Sequence, residues 1–324
     1  MSAAAPARVP ILDLEPATSD FLAEALAGLS ADPRTLPSKF FYDHRGAELF
    51  QEIAELPEYY VTRTETSILR EYSAAIGASV GANAELVGFG TGAGIKTRLV
   101  LQELENPIAY VPVDISKRHL IESANDLSQV MPDLEILPVC ADYMQPLRLP
   151  TPARQPDHIA VYFPGSTIGN LQPESARTFL RRIAKLCGSA GGLIIGVDLE
   201  KPRKVLEAAY NDSQGVTADF NLNLLVRANR ELGADFALPC WQHRAVYNEQ
   251  EHRIEMHLVS EIDQIVRLGG HSFSFLTGEK IISEYSYKHT IEGFSELAGS
   301  AGFRRANVWT DPQNWFAVFH FVVA

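Results

Sequence analysis

The 324 residues, 46% of them apolar, suffice for one large domain or two smaller ones around a sizeable core. A formal charge of −12 opposes an extended nucleic-acid footprint. No apolar run approaches the roughly 18 residues of a membrane span and no charged-then-apolar secretion segment opens the chain. Cys140, Cys187 and Cys240 stand too far apart for a disulfide framework or a close-spaced zinc site. These properties lead one to expect a cytoplasmic protein with small-molecule partners, no metal, and neither nucleic acid nor membrane among its partners.

The chain opens with Ala- and Pro-rich residues through Pro10, where little order is expected, and Ser19 to Leu29 reads as a helix. Asp32-Pro33 and Leu36-Pro37 break the pattern. The segment from Ser38 to Gly46 then mixes aromatic and charged residues too closely for clean periodicity, as a packed loop or a lid over a ligand would. Glu48 to Leu56 reads as a helix, Pro57-Glu58-Tyr59-Tyr60 as a turn, and Thr64 to Ile76 as a second helix. Thr64 is its candidate cap, although Ser67 supplies no carboxylate for a full capping box.

The stretch from Ala84 to Thr97 (AELVGFGTGAGIKT) is an apolar strand, a glycine-rich turn and the start of a helix over Thr97 to Glu105. Glycine reaches positive φ and admits a ligand close to the backbone, as a nucleotide or nucleoside cradle requires. A phosphate loop needs Gly-Lys-Ser/Thr, and Ile95 between Gly94 and Lys96 spoils that spacing. A dinucleotide fingerprint matches loosely at Gly88, Gly90 and Ala93, with Asp114 about 20 residues on to hold ribose hydroxyls. S-adenosylmethionine, which has the ribose but no pyrophosphate, fits a looser Gly-x-Gly turn. A tight turn with no ligand is the remaining reading, and the loop alone does not choose among these.

A βα series follows: strand Ile108 to Val113 ending at Asp114, helix Lys117 to Gln129, strand Leu134 to Val139 with Asp142-Tyr143 just beyond, and strand His158 to Phe163 running into Pro164 to Leu171. Helix Pro173 to Leu186 and strand Leu193 to Val197 continue it. Apolar strands separated by helices imply a parallel sheet covered on both faces, with residues at the carboxyl ends of the strands sharing one crevice. A lone aspartate there is normally a solvated turn residue, but two at equivalent strand ends favour a ligand, with Asp114 for ribose hydroxyls and Asp142-Tyr143 for an adenine edge and face. Asn170 can donate and accept, which suits an amine or a carboxylate as well as a turn cap.

The last third does not repeat this unit. Arg203 to Tyr210 and Ala218 to Arg230 read as helices, and Arg253 to Val259 alternates as a half-buried strand. His271 to Phe275 and Lys280 to Tyr287 are two more strands, joined near Thr277-Gly278. On the latter, Glu284 and Ser286 share a face because the strand period is two, so they line a pocket together or face water together. Helix Ile291 to Ala298, strand Arg304 to Trp309 and strand Asn314 to Val323 then fit the end of a seven-stranded methyltransferase sheet, whose last strand runs against the others. That ordering favours a methyl-donor fold over a six-stranded dinucleotide domain.

Five stretches carry a sharper signal: Lys39 to Asp43 (KFFYD), Leu56 to Tyr60 (LPEYY), Gly165 to Leu171 (GSTIGNL), Arg253 to Met256 (RIEM) and Glu284 to Lys288 (EYSYK). Through them the chain, from about Leu36 onward, resembles the histidine Nα-methyltransferases that form hercynine on the path to ergothioneine. The resemblance implies an α/β fold with a Rossmann-like, seven-stranded class I methyltransferase sheet and a second, substrate-binding α+β domain. The boundaries it suggests are 63–198 plus 289–324 for the methyltransferase domain and 1–62 plus 199–288 for the substrate domain. It implies S-adenosyl-L-methionine at Tyr59, Gly90, Lys96, Asp114, Asp142 and Tyr143, with tyrosine at 143 where phenylalanine is usual. It implies an amino-acid pocket of Tyr42, Phe50, Gly165, Asn170, Tyr210, Met256, Glu284 and Ser286. In that pocket Asn170 and Tyr210 hold the carboxylate and orient the amine, Tyr42 helps position or relay a proton, and Glu284 with Ser286 meets the imidazole. One departure is Gly88, which stands where the first strand commonly carries an acid; Glu85, three residues earlier, does not replace it.

The implied partners are free L-histidine and its methylated intermediates, taken by a chain whose default state is a monomer. The implied chemistry is in-line attack by a neutral α-amine, with rate drawn from alignment and desolvation. A fungal branch that methylates a prenylated tryptophan keeps other amino acids open. A nicotinamide-dependent dehydrogenase and a non-catalytic ligand-binding regulator are the readings from other classes.

Overall fold

A computed structural model describes residues 9–14, 20–90 and 94–324. The expectations for the first eight residues, for Ser19, and for Thr91, Gly92 and Ala93 of the glycine turn lie outside the described residues. The chain begins with β1 (Leu12–Asp13), α1 (Phe21–Leu29), α2 (His44–Glu55) and α3 (Tyr60–Val80). A βα series follows: β2 (Ala84–Phe89), α4 (Ile95–Leu101), β3 (Ala109–Asp114), α5 (Lys117–Val130), β4 (Glu135–Ile136), β5 (Val139–Cys140), β6 (His158–Phe163), α6 (Pro173–Cys187) and β7 (Gly192–Asp198). Next come α7 (Arg203–Tyr210), α8 (Val216–Leu232), β8 (Trp241–Asn248), β9 (Arg253–Ser260), β10 (Gln264–Leu268), β11 (His271–Phe275) and β12 (Lys280–Tyr287). The chain closes with α9 (Ile291–Gly299), β13 (Phe303–Thr310) and β14 (Phe316–Val323).

Strand β2 is buried along its whole length and pairs in parallel with β3 on one side and β6 on the other. The main sheet runs β1-β5-β3-β2-β6-β7-β14-β13, with β14 antiparallel to both β7 and β13. The reversed last strand agrees with the reading of the C-terminal segments, while among the described residues the sheet holds nine strands rather than the expected seven, because β1 adds an edge and one expected strand is split into β4 and β5. The switch point between β3 and β6 opens a crevice at the carboxyl ends of the strands.

Some boundaries moved, for physical reasons. The strand expected over Leu134 to Val139 is broken into β4 and β5, each pairing with β3. Pro138 lies in the break and brings no N–H to a ladder. Helix α3 starts at Tyr60, so Thr64 is not its cap. Arg63 donates to the carbonyls of Leu56, Pro57 and Tyr59, which holds the preceding turn against the helix. Helix α2 begins ahead of Glu48, where the Asp43 carboxylate accepts from Gly46 N at 2.8 Å.

The non-repeating third forms a three-stranded antiparallel sheet, β12-β9-β8, and a separate β10-β11 hairpin. Strands β11 and β12 are therefore not partners across Thr277-Gly278; β11 pairs β10 and β12 pairs β9. Strands β8 and β10 were not anticipated, and in β8 only Trp241 and Ala245 are buried, too sparse a pattern for a period of two. One buried cluster runs from Phe21 and Phe41 through Leu224 of α8 and Leu258 of β9 to Leu86 and Ile194 of the main sheet. A second, between the sheet and helices α6 and α9, holds Phe89, Phe163, Phe179, Phe294 and Phe319. No helix among the described residues is long and apolar enough to cross a membrane.

Candidate active site

A cleft of ≈ 620 Å³ lies between the crevice end of the main sheet and the β12-β9-β8 sheet. Tyr42, Phe50, Gly165, Asn170, Tyr210, Met256, Glu284 and Ser286, expected as the amino-acid pocket, all line it. Tyr59, expected on the donor side, lines this same cleft, its ring 6.2 Å from that of Tyr210.

Local backbone features aim these side chains. In β12 the pairing register slips between Ile282 and Glu284, so that Glu284 faces Met256 and Ser286 faces Ile254. The odd residue, Ser283, donates to Asn221 Oδ1 at 2.6 Å, which holds the bulge in place. After β6 the chain turns through Gly165 at φ +80° and Ser166 at φ +57° into a 3-10 turn, Thr167–Asn170. Gly169 lets this turn approach β12: a Cβ there would sit 2.9 Å from the Tyr287 carbonyl oxygen. Asn170 Nδ2 is consequently 3.5 Å from Glu284 Oε2, although the two residues are 114 positions apart.

Charge in the cleft is shaped by burial. Glu284 is pushed up to about 7 by desolvation, partly countered by Lys288. Its folded value lies above the ordinary carboxylate value, so its charge costs stability: the folded chain is favoured where the group is protonated and loses that advantage as pH rises through about 7. Glu284→Gln should therefore raise the melting temperature of the ligand-free protein more at about pH 8 than at about pH 5. A gain of equal size at both pH values would contradict this. The phenols of Tyr59 and Tyr210 are raised far above their usual range, burial being the largest cause for each. They remain protonated and act as hydrogen-bonding groups rather than bases.

The donor-side residues gather at the neighbouring strand ends. Gly90 follows β2, Asp114 ends β3, and Asp142-Tyr143 follows β5. The Tyr143 ring stacks on Phe89 at 5.4 Å, and a Cβ on Gly90 would lie 3.6 Å from that ring. The Tyr143 hydroxyl is raised by burial first and then by the Asp114 and Asp142 carboxylates, which places all three groups in one field. A nucleoside fits this set: carboxylates for its hydroxyls and amine, an aromatic ring for its base, and bare backbone at Gly90. Glu85 points elsewhere; it is buried within β2 and pushed up to about 7 by desolvation and by Glu135.

Lys96 is not free in the crevice: its Nζ is 2.6 Å from Glu65 Oε2. Glu65, on α3, is fully buried and also accepts from Gly165 N, at 3.0 Å and 2.9 Å to its two oxygens. One carboxylate thus ties the helix after the glycine turn to the turn that carries Asn170. The sequence reading missed it, since Glu65 sits in an ordinary amphipathic helix with no local signal. Also missed were Phe220, whose ring lies 5.8 Å from that of Tyr42, and the buried Thr217, both of which line the cleft. Asp198, at the end of β7, lines the cleft as well.

Strand order, acids at the ends of adjacent strands and a cleft across them define a class I S-adenosylmethionine-dependent methyltransferase fold. The family model described as "Histidine-specific methyltransferase, SAM-dependent" matches residues 21–323. The chain belongs to that family. It is 40% identical over 311 residues to the histidine N-alpha-methyltransferase of Mycolicibacterium smegmatis, covering 93% of this chain and 95% of that one. Against the histidine N-alpha-methyltransferase of Mycobacterium tuberculosis it is 38% identical over 301 residues, covering 91% and 92%. The N-methyltransferase dtpB of Aspergillus flavus is 25% identical over 332 residues, covering 96% and 91%.

Proposed function

We propose that the protein moves methyl groups from S-adenosylmethionine to the α-amine of free L-histidine, in up to three rounds that end at hercynine. The observation that carries this reading is the convergence of Glu284, Ser286, Tyr210 and Asn170 in one cleft beside the nucleoside-fitting strand ends. In this reading the protein acts as a monomer on a free amino acid. Residues 1–62 with 199–288 form most of the acceptor-binding part, and 63–198 with 289–324 the donor-binding part, which lends Gly165 and Asn170 to the acceptor cleft.

In this reading Gly90, Asp114, Asp142 and Tyr143 hold the nucleoside, with Lys96 and Tyr59 toward its amino-acid end. The donor supplies an electrophilic methyl group on a sulfonium. Asn170 and Tyr210 hold the acceptor carboxylate, while Glu284 accepts from an imidazole N–H and Ser286 meets the ring's other side. Met256 and Phe50 cover its apolar faces, and Tyr42, 48% exposed at the mouth, helps orient the amine. With buried phenols held protonated, the amine's proton leaves through water rather than to a strong base. The protein's share of the rate is then alignment in a water-poor cleft.

Mass spectrometry of the protein incubated with S-adenosylmethionine and a panel of amino acids, including histidine, its mono- and dimethylated forms and tryptophan, tests the proposal. Histidine gaining three methyl groups is the expected result. Transfer to another amino acid instead would overturn the roles of Glu284 and Ser286, and donor binding with no transfer would favour a regulator.

A further inference from the structure

At the cleft wall lies an ion cluster that the methyl-transfer roles leave unused. Asp198 accepts from Tyr60 Oη at 2.8 Å, from Lys201 Nζ at 2.5 Å and from Lys288 Nζ at 2.8 Å. The side chains of Asp198, Lys201 and Lys288 are 0%, 1% and 0% exposed. Neither lysine has a second carboxylate within ion-pair distance among the described residues. Asp311, the next acid toward Lys201, spends its oxygens on the backbone N–H groups of Gln313, Trp315 and Phe316. One carboxylate therefore touches two buried ammonium groups; Glu284, on which Lys288 also acts from beyond ion-pair distance, is pushed up to about 7 by its own burial and is only partly charged near neutral pH. Such an excess is costly unless something nearby carries the missing negative charge.

The hydrogen bonds of Lys288 lead to where that charge belongs. The three N–H groups of Lys288 go to Asp198 Oδ2, Ser286 Oγ at 2.7 Å and Tyr210 Oη at 3.1 Å. The two hydroxyls bond to each other at 2.9 Å, which uses one hydroxyl proton. The other has no protein acceptor among the described residues, and both hydroxyls line the cleft. A hydroxyl pair that already accepts from an ammonium and has one proton to spare is a donor aimed at the cleft, and it is complementary to an anion.

We infer that Lys288 is a positioning residue that matches the cleft to the acceptor's carboxylate, acting through Tyr210, which it bonds directly and braces by way of Ser286, with Lys201 supplying the charge excess that Asp198 alone does not cancel. The inference rests on the reading of the cleft as a histidine site. It makes the carboxylate the group that neutralises the cluster, so an otherwise identical ligand with a neutral group there is rejected on charge rather than shape.

The test is calorimetric binding of L-histidine and of L-histidinol, in which a hydroxymethyl group replaces the carboxylate, to protein saturated with S-adenosylhomocysteine. The wild type should prefer histidine by about ten- to a hundredfold. Lys288→Met should remove most of that preference by weakening histidine alone, since Asp198 keeps Lys201 and Tyr60 as partners. Lys201→Met, which leaves every cleft-lining residue in place, should shift the preference the same way by a smaller factor. Equal binding of the two ligands by the wild type overturns the inference without any variant. So does a parallel loss of both ligands in either variant, which is what a merely structural role predicts. A wild type that prefers histidine over histidinol but transfers no methyl group to it would refute the catalytic reading and leave the charge match standing.

Discussion

Glu284→Ala is expected to lower kcat/KM for histidine about a hundredfold, the roughly 3 kcal/mol attached to a hydrogen bond with a charged, desolvated partner. Glu284 reaches the cleft because of the β12 bulge and has no ion-pair partner of its own among the described residues, so its unmet capacity is turned toward the ligand. Loss of this acceptor leaves the imidazole N–H buried without a partner, an error that an apolar cleft does not forgive. The contact exists in the ground state as well as the transition state, so the loss should fall mainly on KM. Binding of S-adenosylhomocysteine should be unaffected. A pH signature accompanies the loss: with a value of about 7, Glu284 gains its charge as pH rises through neutrality, and wild-type capture of histidine should rise with it. That limb should be absent from the variant. Histidine saturation and turnover indistinguishable from the wild type would sink the assignment.

The second large effect is expected at Glu65. Glu65→Ala removes a fully buried carboxylate that Lys96 Nζ and Gly165 N share, leaving a buried N–H and a lysine side chain only 20% exposed without their acceptor. Breaking a buried pair from one side costs about 3–5 kcal/mol, and here a side-chain void adds to it. Urea unfolding should show that loss as a lower midpoint with an unchanged slope. Glu65→Gln keeps the volume but turns an amide N–H toward either Lys96 or Gly165, so it should fold better than the alanine variant while still binding S-adenosylhomocysteine and histidine more weakly than the wild type. Unfolding of Glu65→Ala within about 1 kcal/mol of the wild type would show that the bridge is not a structural tie.

Much of this architecture is legible in local patterns. Strand β6 runs from His158 to Phe163 and α7 from Arg203 to Tyr210, as their apolar periodicity indicates. The alternation of β12 puts Glu284 and Ser286 on one face, and the motifs around Tyr42, Gly165 and Glu284 converge in a single cleft. Periods of 2 and 3.6 are properties of neighbouring residues, and so they survive in a string of letters. The breaks were harder to see. Pro138 divides one strand, and Arg63 extends a helix backward over its own turn, each through a backbone hydrogen bond lost or gained outside the periodic pattern.

By itself the sequence determined the wound sheet, the reversed last strand, the acids at the strand ends and, through its motifs, the family. Only the tertiary structure decided that Glu65 joins Lys96 to Gly165, 31 and 100 positions away from it, that a bulge at Ser283 aims Glu284, and that Asp198 is outnumbered by Lys201 and Lys288 at the cleft wall. The reason is physical. A buried charge is defined by what surrounds it after folding, and its partners come from helices and strands whose sequences carry no mark of one another.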